Sequence, residues 1–437
     1  MNTGIFDGSR FWVGCNYWAL HAGPRMWREW EPEIVEDDLR RLEQKGFRLL
    51  RVFPNWRDFQ PLEAMAECHH RPAGMRFSGE RGLPDTGPGR TGVDPVMLER
   101  FRQFARLAEK LGIRLIVSLL TGWMSGRMFV PPAFERRDLM TDSEVVHWEV
   151  RFVRTMVREL RDEPAIAAWE PGNECDCLQE VTLPEQWRWF DAISNAIRRE
   201  DSARPILSGS NTRCDGTRIF DMTECADVLC AHSYAAFSKH CRVDPVNTMR
   251  NAFQAVFMTR CCADLGKTAA LIEEIGSFGP TQNGETESAR FLENSLWNAW
   301  SHDCRALLWW CAFDQTELDY PPYDECSMER ELGLFRADGS AKPALDVLER
   351  FSGFAAAHPL PPPRRDAVVL LTRDQDCWSA GFLSFLLAKR AGFDVAFQFA
   401  DEPLRPAPLY LMPSVGGFRI LPRGRYRELL AAVERGA

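Results

Sequence analysis

The chain has 437 residues, a formal net charge of -9 and a pI near 5.6, with 45% hydrophobic and 26% charged residues. This composition is typical of a folded globular protein, and the length is enough for one large α/β barrel with a small extra module. The acidic balance argues against nucleic acid as a partner, because binding to a phosphate backbone requires a basic surface.

The N-terminal stretch MNTGIFDGSRFWVG has no basic region followed by an apolar one, so we expect no secretory signal. No window is apolar over the length of a membrane span, so we expect no membrane partner. Fourteen cysteines without a signal indicate reduced thiols and a cytoplasmic location rather than a disulfide framework. The nearest approach to a metal pattern is Cys68-His69-His70, which no CxxC pair accompanies, so we expect neither a metal nor another cofactor.

Short apolar runs recur along the chain, and each is followed by a loop and an amphipathic helical stretch. The predicted strands are Phe11–Asn16, Phe47–Phe53, Ile113–Leu119, Ala165–Glu170, Pro205–Gly209, Val228–His232, Ala269–Glu274 and Ala306–Trp310. The predicted helices include Glu33–Lys45, Pro95–Leu111, Ser143–Arg161, Glu287–Ser301 and a weak one near Ile219–Cys225. Apolar strands that alternate with helices imply a parallel sheet covered on both faces, and eight such units predict an α/β fold, the (β/α)8 TIM barrel.

The composition also predicts the domain limits. Residues 1–357 form the barrel, and an insertion rich in Gly, Pro and Arg, at about 54–94, is expected to form a lobe over the barrel mouth. The stretch HPLPPPRR, residues 358–365, is a stiff linker. Residues 366–437 then predict a small open α/β subdomain, half of a flavodoxin-like sheet, with helices at Trp378–Ala391 and Arg423–Glu434. A half sheet leaves apolar surface uncovered, so it should pack on the barrel or on another subunit.

The chemistry of a TIM barrel lies at the C-terminal ends of its strands. Those positions hold Asn16, Tyr17, Arg51, Trp123, Asn173, Glu174, Asn211, His232, Tyr234, Glu273, Glu274, Trp309 and Trp310. The set contains no lysine for a Schiff base, no phosphate-binding loop and no metal cluster. Two carboxylates on opposite strands among aromatic rings suit attack at the anomeric carbon of a sugar. Strand alternation puts Glu273 and Glu274 on opposite faces, so only one of them can point into the barrel mouth.

Five motifs at these positions resemble glycoside hydrolases of clan A, family 5. WEPGNE is similar to the fourth-strand motif that carries an amide and the acid/base, and IEEIGSFG to the seventh-strand motif of the nucleophile. FRLLRVFPNW resembles the second strand with its arginine, AHSY the His-x-Tyr motif, and LLWWCAFDQ the eighth-strand tryptophan. All five occur in the family's order between Arg51 and Trp310.

The resemblance implies a role for each matched residue. Glu174 is the expected acid/base, and Glu274 the nucleophile, because Gly276 two residues on fits the family's register. Arg51 is expected to keep Glu274 ionised and Tyr234 to donate to it, while Asn173 binds the sugar 2-OH. The remaining expected substrate-binding residues are His232, Trp310 (which fits the spacing to Asp314 better than Trp309), Trp123 and Asn16.

The tail resembles the start of the trimerisation domain of family 42 β-galactosidases, in the stretches DAVVLLTRDQDCW, LAKRAGFDVAFQF and LYLMPSVGG. A family 5 barrel with such a tail resembles subfamily 18, which implies an exo-acting, retaining β-mannosidase that cleaves a small oligosaccharide such as Man-β-1,4-GlcNAc from the N-glycan core. The tail implies a homo-oligomer, with a trimer favoured. An endo-β-mannanase or β-glucanase and a β-galactosidase are the alternatives within the clan, and a non-catalytic carbohydrate-binding barrel is the alternative of another class.

Overall fold

A computed structural model describes residues 2–70, 72–79, 81–210, 219–278, 282–373, 375–413 and 421–436. Within these ranges the strands are β1 (Trp12–Tyr17), β2 (Leu49–Val52), β3 (Leu62–Ala66), β4 (Pro72–Phe77), β5 (Arg114–Ser118), β6 (Trp123–Met124), β7 (Arg127–Met128), β8 (Ile166–Glu170), β9 (Val228–Ser233), β10 (Ala269–Ile275), β11 (Ala306–Trp309), β12 (Ala367–Leu371), β13 (Val395–Phe399) and β14 (Tyr410–Leu411). The helices are α1 (Pro32–Gln44), α2 (Trp56–Phe59), α3 (Pro95–Lys110), α4 (Ser143–Leu160), α5 (Leu183–Glu200), α6 (Met249–Gly266), α7 (Glu285–Ser301), α8 (Pro343–Ala357), α9 (Cys377–Arg390) and α10 (Arg423–Glu434).

The main sheet is a curled parallel sheet in the order β8-β5-β2-β1-β11-β10-β9. The predicted fifth strand does not form a full ladder. Its residues Ile206 and Leu207 instead make isolated parallel bridges to Trp169 of β8 and Val228 of β9, which joins the two edges of the sheet. The sheet and this bridging segment together form the predicted (β/α)8 barrel.

The helices begin and end where the sequence supplies the local chemistry. The Asp94 side chain accepts a hydrogen bond from the Val96 amide at the start of α3, and Thr182 and Glu185 form a capping box at α5. Gly46 follows α1 with φ 84°, a left-handed conformation that glycine adopts without strain and that ends the helix. None of the helices in the described ranges combines the length and the hydropathy that a membrane span needs.

Two apolar cores hold the barrel together. The larger core lies between the strands and the surrounding helices and continues into the C-terminal subdomain. The smaller one fills the inside of the barrel below the strand ends and contains Leu49, Ile116, Ala168, Leu207, Val228, Leu271 and Leu308. Because this interior is packed with side chains, a ligand can enter only at the C-terminal end of the strands.

The C-terminal strands form a parallel sheet in the order β13-β12-β14. This sheet and α9 pack against α6 of the barrel through Phe257, whose ring contacts Trp378, Phe382, Phe385 and Phe397. On the same helix, the buried Asp264 carboxylate accepts a hydrogen bond from the Phe397 amide at 3.0 Å. The apolar surface of the half sheet is therefore covered on one side by its own barrel.

Candidate active site

A cavity of about 550 Å³ opens at the C-terminal end of the barrel strands. This volume lies within the range of small-molecule sites. Among the described residues, its walls include the carboxylates of Glu174, Glu274 and Glu329 and the rings of Trp123, Tyr234 and Trp310. The chemistry of the cavity is therefore acidic and aromatic.

The turn after β8 directs Asn173 and Glu174 into the cavity. Only glycine fits at position 172, because a Cβ there would lie 2.3 Å from the Leu120 carbonyl oxygen. Glu174 has φ 43° and ψ 49°, a left-handed conformation that costs a residue with a side chain some strain. Its amide donates to the Gly209 carbonyl oxygen at 2.8 Å, a contact that helps to hold this backbone in place.

Two side chains contact the Glu174 carboxylate. His232 Nδ1 lies 2.9 Å from Oε1, and Trp123 Nε1 donates to Oε2 at 3.2 Å. Burial favours a raised pKa for Glu174, but the hydrogen bond and charge of His232 outweigh it and lower the pKa. Burial likewise favours a lowered pKa for His232, but the neighbouring carboxylates raise it to about 10. The proton between these two groups therefore rests on His232.

A β-bulge in β10 changes the orientation of the seventh-strand glutamates. Ile272 pairs with Ala231 and Glu274 with the next residue, His232, so β10 has one residue more than β9 at this point. A bulge breaks the alternation of side chains. As a result Glu273 and Glu274 both reach Arg51 inside the barrel, at 3.7 and 2.6 Å. The prediction that they lie on opposite faces is wrong, although only Glu274 lines the cavity and Glu273 lies beneath it.

Three donors surround the Glu274 carboxylate. Arg51 Nη1 donates to Oε1 at 2.6 Å, Tyr234 donates its hydroxyl to Oε2 at 2.9 Å, and His232 Nδ1 lies 3.3 Å from Oε1. Burial, the largest influence, raises the pKa of Glu274; the charge of Glu174 adds to this, while His232 and Arg51 oppose it. The donors fix the carboxylate in one orientation at the cavity wall.

The two cavity carboxylates lie close together. One oxygen of Glu174, one oxygen of Glu274 and one nitrogen of His232 all lie within 4.8 Å of one another. Inverting glycosidases separate their carboxylates by about 6.5–9.5 Å to hold a water, whereas retaining ones use about 5–5.5 Å. These three atoms could also ligate a cation, but Arg51 and Tyr234 already donate to Glu274, so the arrangement favours proton transfer and attack by a carboxylate.

Arg51 and Asn16 lie beneath the cavity and do not line it. Both side chains are fully buried. Arg51 donates to Glu170, Glu274 and the Asn173 side-chain oxygen, and Asn16 donates to the backbone oxygens of Glu273 and Trp309. Neither side chain has surface in the cavity, so direct contact of Arg51 and Asn16 with substrate stays a prediction. In this structure Arg51 holds Glu274 and Asn173, which line the cavity, and Asn16 holds the backbone of β10 and β11 beneath it.

Glu170 belongs to the same buried network, and sequence reasoning missed it. Burial raises the pKa of Glu170 well above its usual value. Burial also favours a raised pKa for Glu273, but Arg51, Glu170 and His232 lower it to about 2. Glu170 therefore keeps its proton while Glu273 is ionised. The sequence did contain a sign of this role. An acidic residue at the end of an apolar strand needs a buried partner, and Arg51 lies on a nearby strand.

The other predicted residues lie at the cavity. Asn173 lines it and donates its amide to the Trp123 carbonyl oxygen at 3.0 Å. The Trp310 ring lines it, whereas the Trp309 indole is buried and donates to the Leu332 carbonyl oxygen. Asn211 lies outside the described residues.

Apart from Trp123, two loops contribute residues to the cavity wall that the sequence did not assign. They are the β6–β7 hairpin, including Ser125, and residues 326–329, including Glu329. The insertion at 54–94 contributes α2 and the antiparallel β3–β4 hairpin and contacts α4, where Gln60 donates to the Trp148 carbonyl oxygen. None of its described residues lines the cavity, so the expected lobe over the barrel mouth is not part of this wall.

Comparison with curated proteins gives distant relatives. No protein-family model matches the chain. Mannan endo-1,4-β-mannosidase F of Aspergillus fumigatus is 23% identical over 209 residues, which are 46% of this chain and 44% of that protein. Mannan endo-1,4-β-mannosidase A of Podospora anserina is 26% identical over 179 residues, 40% of this chain and 44% of that protein. The matches thus span under half the length of these relatives.

Solved structures share the fold over almost the whole chain. An exo-β-1,4-mannosidase from Opitutaceae bacterium strain TAV5 superposes with a TM-score of 0.80, at 22% identity, over 99% of this chain and 78% of that one. A GH5_18 variant from Streptomyces cattleya in complex with Man-β-1,4-GlcNAc gives a TM-score of 0.76, at 21% identity, over 89% and 94%. A β-galactosidase from Marinomonas ef1 gives 0.65, at 13% identity, over 96% and 74%. The predicted barrel fold is confirmed, and structures named GH5_18 are among those that share it.

Proposed function

We propose that this protein is a retaining β-glycosidase that hydrolyses β-1,4-linked mannosides by double displacement, with Glu274 as nucleophile and Glu174 as acid/base. The observation that carries the proposal is the close approach of these two carboxylates in the cavity, within 4.8 Å between oxygens. That spacing leaves no room for a water between the carboxylate and the sugar, so the carboxylate itself is the attacking group.

In the first step Glu274 attacks the anomeric carbon and the bond to the leaving oxygen breaks. Glu174 donates a proton to that oxygen, so the leaving sugar departs as a neutral alcohol. The proton comes from the 2.9 Å contact with His232, which passes it to Glu174 as the leaving oxygen gains negative charge. Tyr234 and Arg51 keep donating to Glu274 and hold it for in-line attack.

In the second step water hydrolyses the glycosyl-enzyme. Glu174 takes a proton from the water, which attacks the anomeric carbon, and Glu274 leaves as a carboxylate. Glu174 then returns the proton to His232 across their 2.9 Å contact, which restores the resting state. Asn173 lies where an amide can bind the 2-OH of the sugar, a contact that strengthens in the transition state. Trp310 provides an apolar surface for the ring.

The finer substrate assignment is a terminal β-mannoside of a short oligosaccharide, with Man-β-1,4-GlcNAc as the first choice. It is supported by the resemblance to structures from Streptomyces cattleya and Opitutaceae bacterium and by the curated mannanases. Endo-acting mannan or glucan hydrolysis and β-galactoside hydrolysis are the alternatives.

A panel of aryl glycosides tests the activity. We expect p-nitrophenyl β-mannoside to be hydrolysed with a kcat/KM at least about tenfold above the β-glucoside and β-galactoside, because a site that pairs with one 2-OH orientation leaves its polar groups unpaired with the other. Proton NMR should show β-mannose as the first product. Release of α-mannose would rule out the retaining mechanism, and no turnover of any member would rule out the function. Comparison of Man-β-1,4-GlcNAc with mannobiose and mannopentaose then ranks the natural substrates.

We propose further that the C-terminal subdomain joins copies of the chain. Leu383 and Leu387 of α9 and Tyr426, Leu430 and Val433 of α10 are exposed, with spacings that align them along one face of each helix. We expect light scattering to give a mass of more than one chain, and Leu387→Asp with Leu430→Asp to reduce it to one. Glu428→Lys, outside these stripes, should leave the mass unchanged. A wild-type monomer would refute the proposal.

A further inference from the structure

A third carboxylate lines the cavity and has no part in the mechanism above. Glu329 lies on the short 3₁₀ helix Ser327–Glu331, in the loop between β11 and α8. Its Oε2 accepts a hydrogen bond from Trp310 Nε1 at 3.2 Å. The Ser125 side chain lies close enough to the carboxylate to oppose the rise of its pKa. Glu329 is therefore held at the edge of the ring on which the sugar would lie.

The surroundings of Glu329 disfavour the ionised form of its side chain. Burial raises the pKa of Glu329 to about 7, and the charges of Glu274 and Glu174 add to the effect. Within the described part of the chain, no Arg or Lys forms an ion pair with Glu329. A carboxylate of this kind has acceptor positions that two neutral donors do not fill. Sugar hydroxyls are neutral donors that can fill them, in pairs from adjacent carbons.

The same contact closes one side of the cavity. Ser125 is in the β6–β7 hairpin, after the third barrel strand, and Glu329 is in the loop after the eighth. Outside the cavity, Arg127 of the hairpin pairs with Glu325 at 2.6 Å and with Asp324 at 3.5 Å. The two loops thus meet beside the cavity. Phe237, which follows β9, also lines the cavity and is 68% exposed.

We propose that Glu329 accepts hydrogen bonds from the hydroxyls of the terminal sugar that lie farthest from its anomeric carbon, and with Ser125 marks the closed end of the sugar site. This inference rests on the proposed hydrolysis of β-mannosides. An internal sugar of a β-1,4 chain carries the next sugar on its 4-OH, so it cannot present that hydroxyl to Glu329. The contact therefore favours sugars at the ends of chains, which is the selectivity that an exo-acting enzyme needs.

The test pairs enzyme variants with deoxygenated substrates. The kcat/KM of wild type, Glu329→Gln, Glu329→Ala and the control Glu331→Gln is measured on p-nitrophenyl β-mannoside and its 3-, 4- and 6-deoxy analogues. We expect Glu329→Ala to lower kcat/KM on the parent about 10- to 100-fold, the size of a lost hydrogen bond to a charged group in a closed site. Glu331→Gln removes a carboxylate two residues away that does not line this cavity and should match wild type.

The decisive result is the coupling between residue and hydroxyl. Removal of the 4-OH should lower the kcat/KM of wild type about 10-fold or more and that of Glu329→Ala almost not at all, with Glu329→Gln in between. Equal losses in wild type and Glu329→Ala for the 4-deoxy analogue would overturn the selection of chain ends. Equal losses for all three analogues would overturn the role of Glu329 altogether while leaving the hydrolase intact. Failure of wild type on the parent substrate would instead overturn the proposed function, and the role of Glu329 with it. Thermal melting of each variant shows whether the chain is folded.

Discussion

Replacing Glu274 with alanine is expected to lower kcat on p-nitrophenyl β-mannoside by about 10⁴- to 10⁶-fold, because no group remains to form the glycosyl-enzyme. Sodium azide should restore part of the turnover by entering the space of the missing carboxylate. It would attack from the same side as Glu274 and without a second displacement, so the product should be α-mannosyl azide. The yield and anomeric configuration of the azide are measured by NMR.

The adjacent glutamate gives a matched control. Glu273→Gln and Glu274→Gln each replace one carboxylate by an isosteric amide, but only Glu274 lines the cavity. We expect Glu274→Gln to be inactive and Glu273→Gln to keep at least about 1% of wild-type kcat, since a positioning residue acts only through its neighbours. An inactive Glu273→Gln together with an active Glu274→Gln would instead make Glu273 the nucleophile. The test is needed because the bulge in β10 brings both glutamates to Arg51.

Replacing Glu174 with alanine is expected to have an effect that depends on the leaving group. On Man-β-1,4-GlcNAc, whose leaving alcohol needs a proton, kcat/KM should fall by about 10³- to 10⁴-fold. On 2,4-dinitrophenyl β-mannoside, whose leaving phenolate is stable without one, kcat/KM should fall by less than about tenfold. The variant should then accumulate the glycosyl-enzyme and show a burst of dinitrophenol in stopped-flow measurements.

Azide also separates the two carboxylate roles. With Glu174→Ala it should intercept the glycosyl-enzyme from the opposite side and give β-mannosyl azide, the anomer that Glu274→Ala does not give. The pH profile of kcat/KM should lose its basic limb, because that limb reports the proton held between Glu174 and His232. Equal losses on both substrates, or the same azide anomer from both variants, would contradict the assignment of acid and nucleophile.

The sequence predicted the barrel and the cavity residues at the strand ends because both depend on regular features. Apolar strands in alternation with helices define the topology, and the topology brings the strand ends to one face, where Glu174, His232, Tyr234 and Glu274 meet. The fifth strand is the exception. It is reduced to bridges at Ile206 and Leu207, a difference of pairing that its apolar pattern does not reveal.

Three features of the site could not be read from periodicity. The bulge in β10 adds one residue, and nothing in the letters ALIEEI marks where the ladder shifts. Arg51 and Asn16 are at strand ends, but their depth depends on how far each strand projects, so they lie below the cavity rather than in it. Glu329 comes from an irregular loop that contacts the site only through folding of the whole chain.

The crowding of carboxylates around Arg51 and His232 implies a trade-off between activity and thermal stability. Burial raises the pKa of Glu274 and raises that of Glu329 to about 7, above the value of 4.5 that a free glutamate has. The unfolded chain therefore holds fewer protons on these groups, and the folded state loses stability as the pH rises from about 4.5 towards 7. Selection of variants for heat resistance alone would favour neutral residues at positions 274 and 329. Such variants would lose groups that the activity needs, because function and not folding keeps these carboxylates buried.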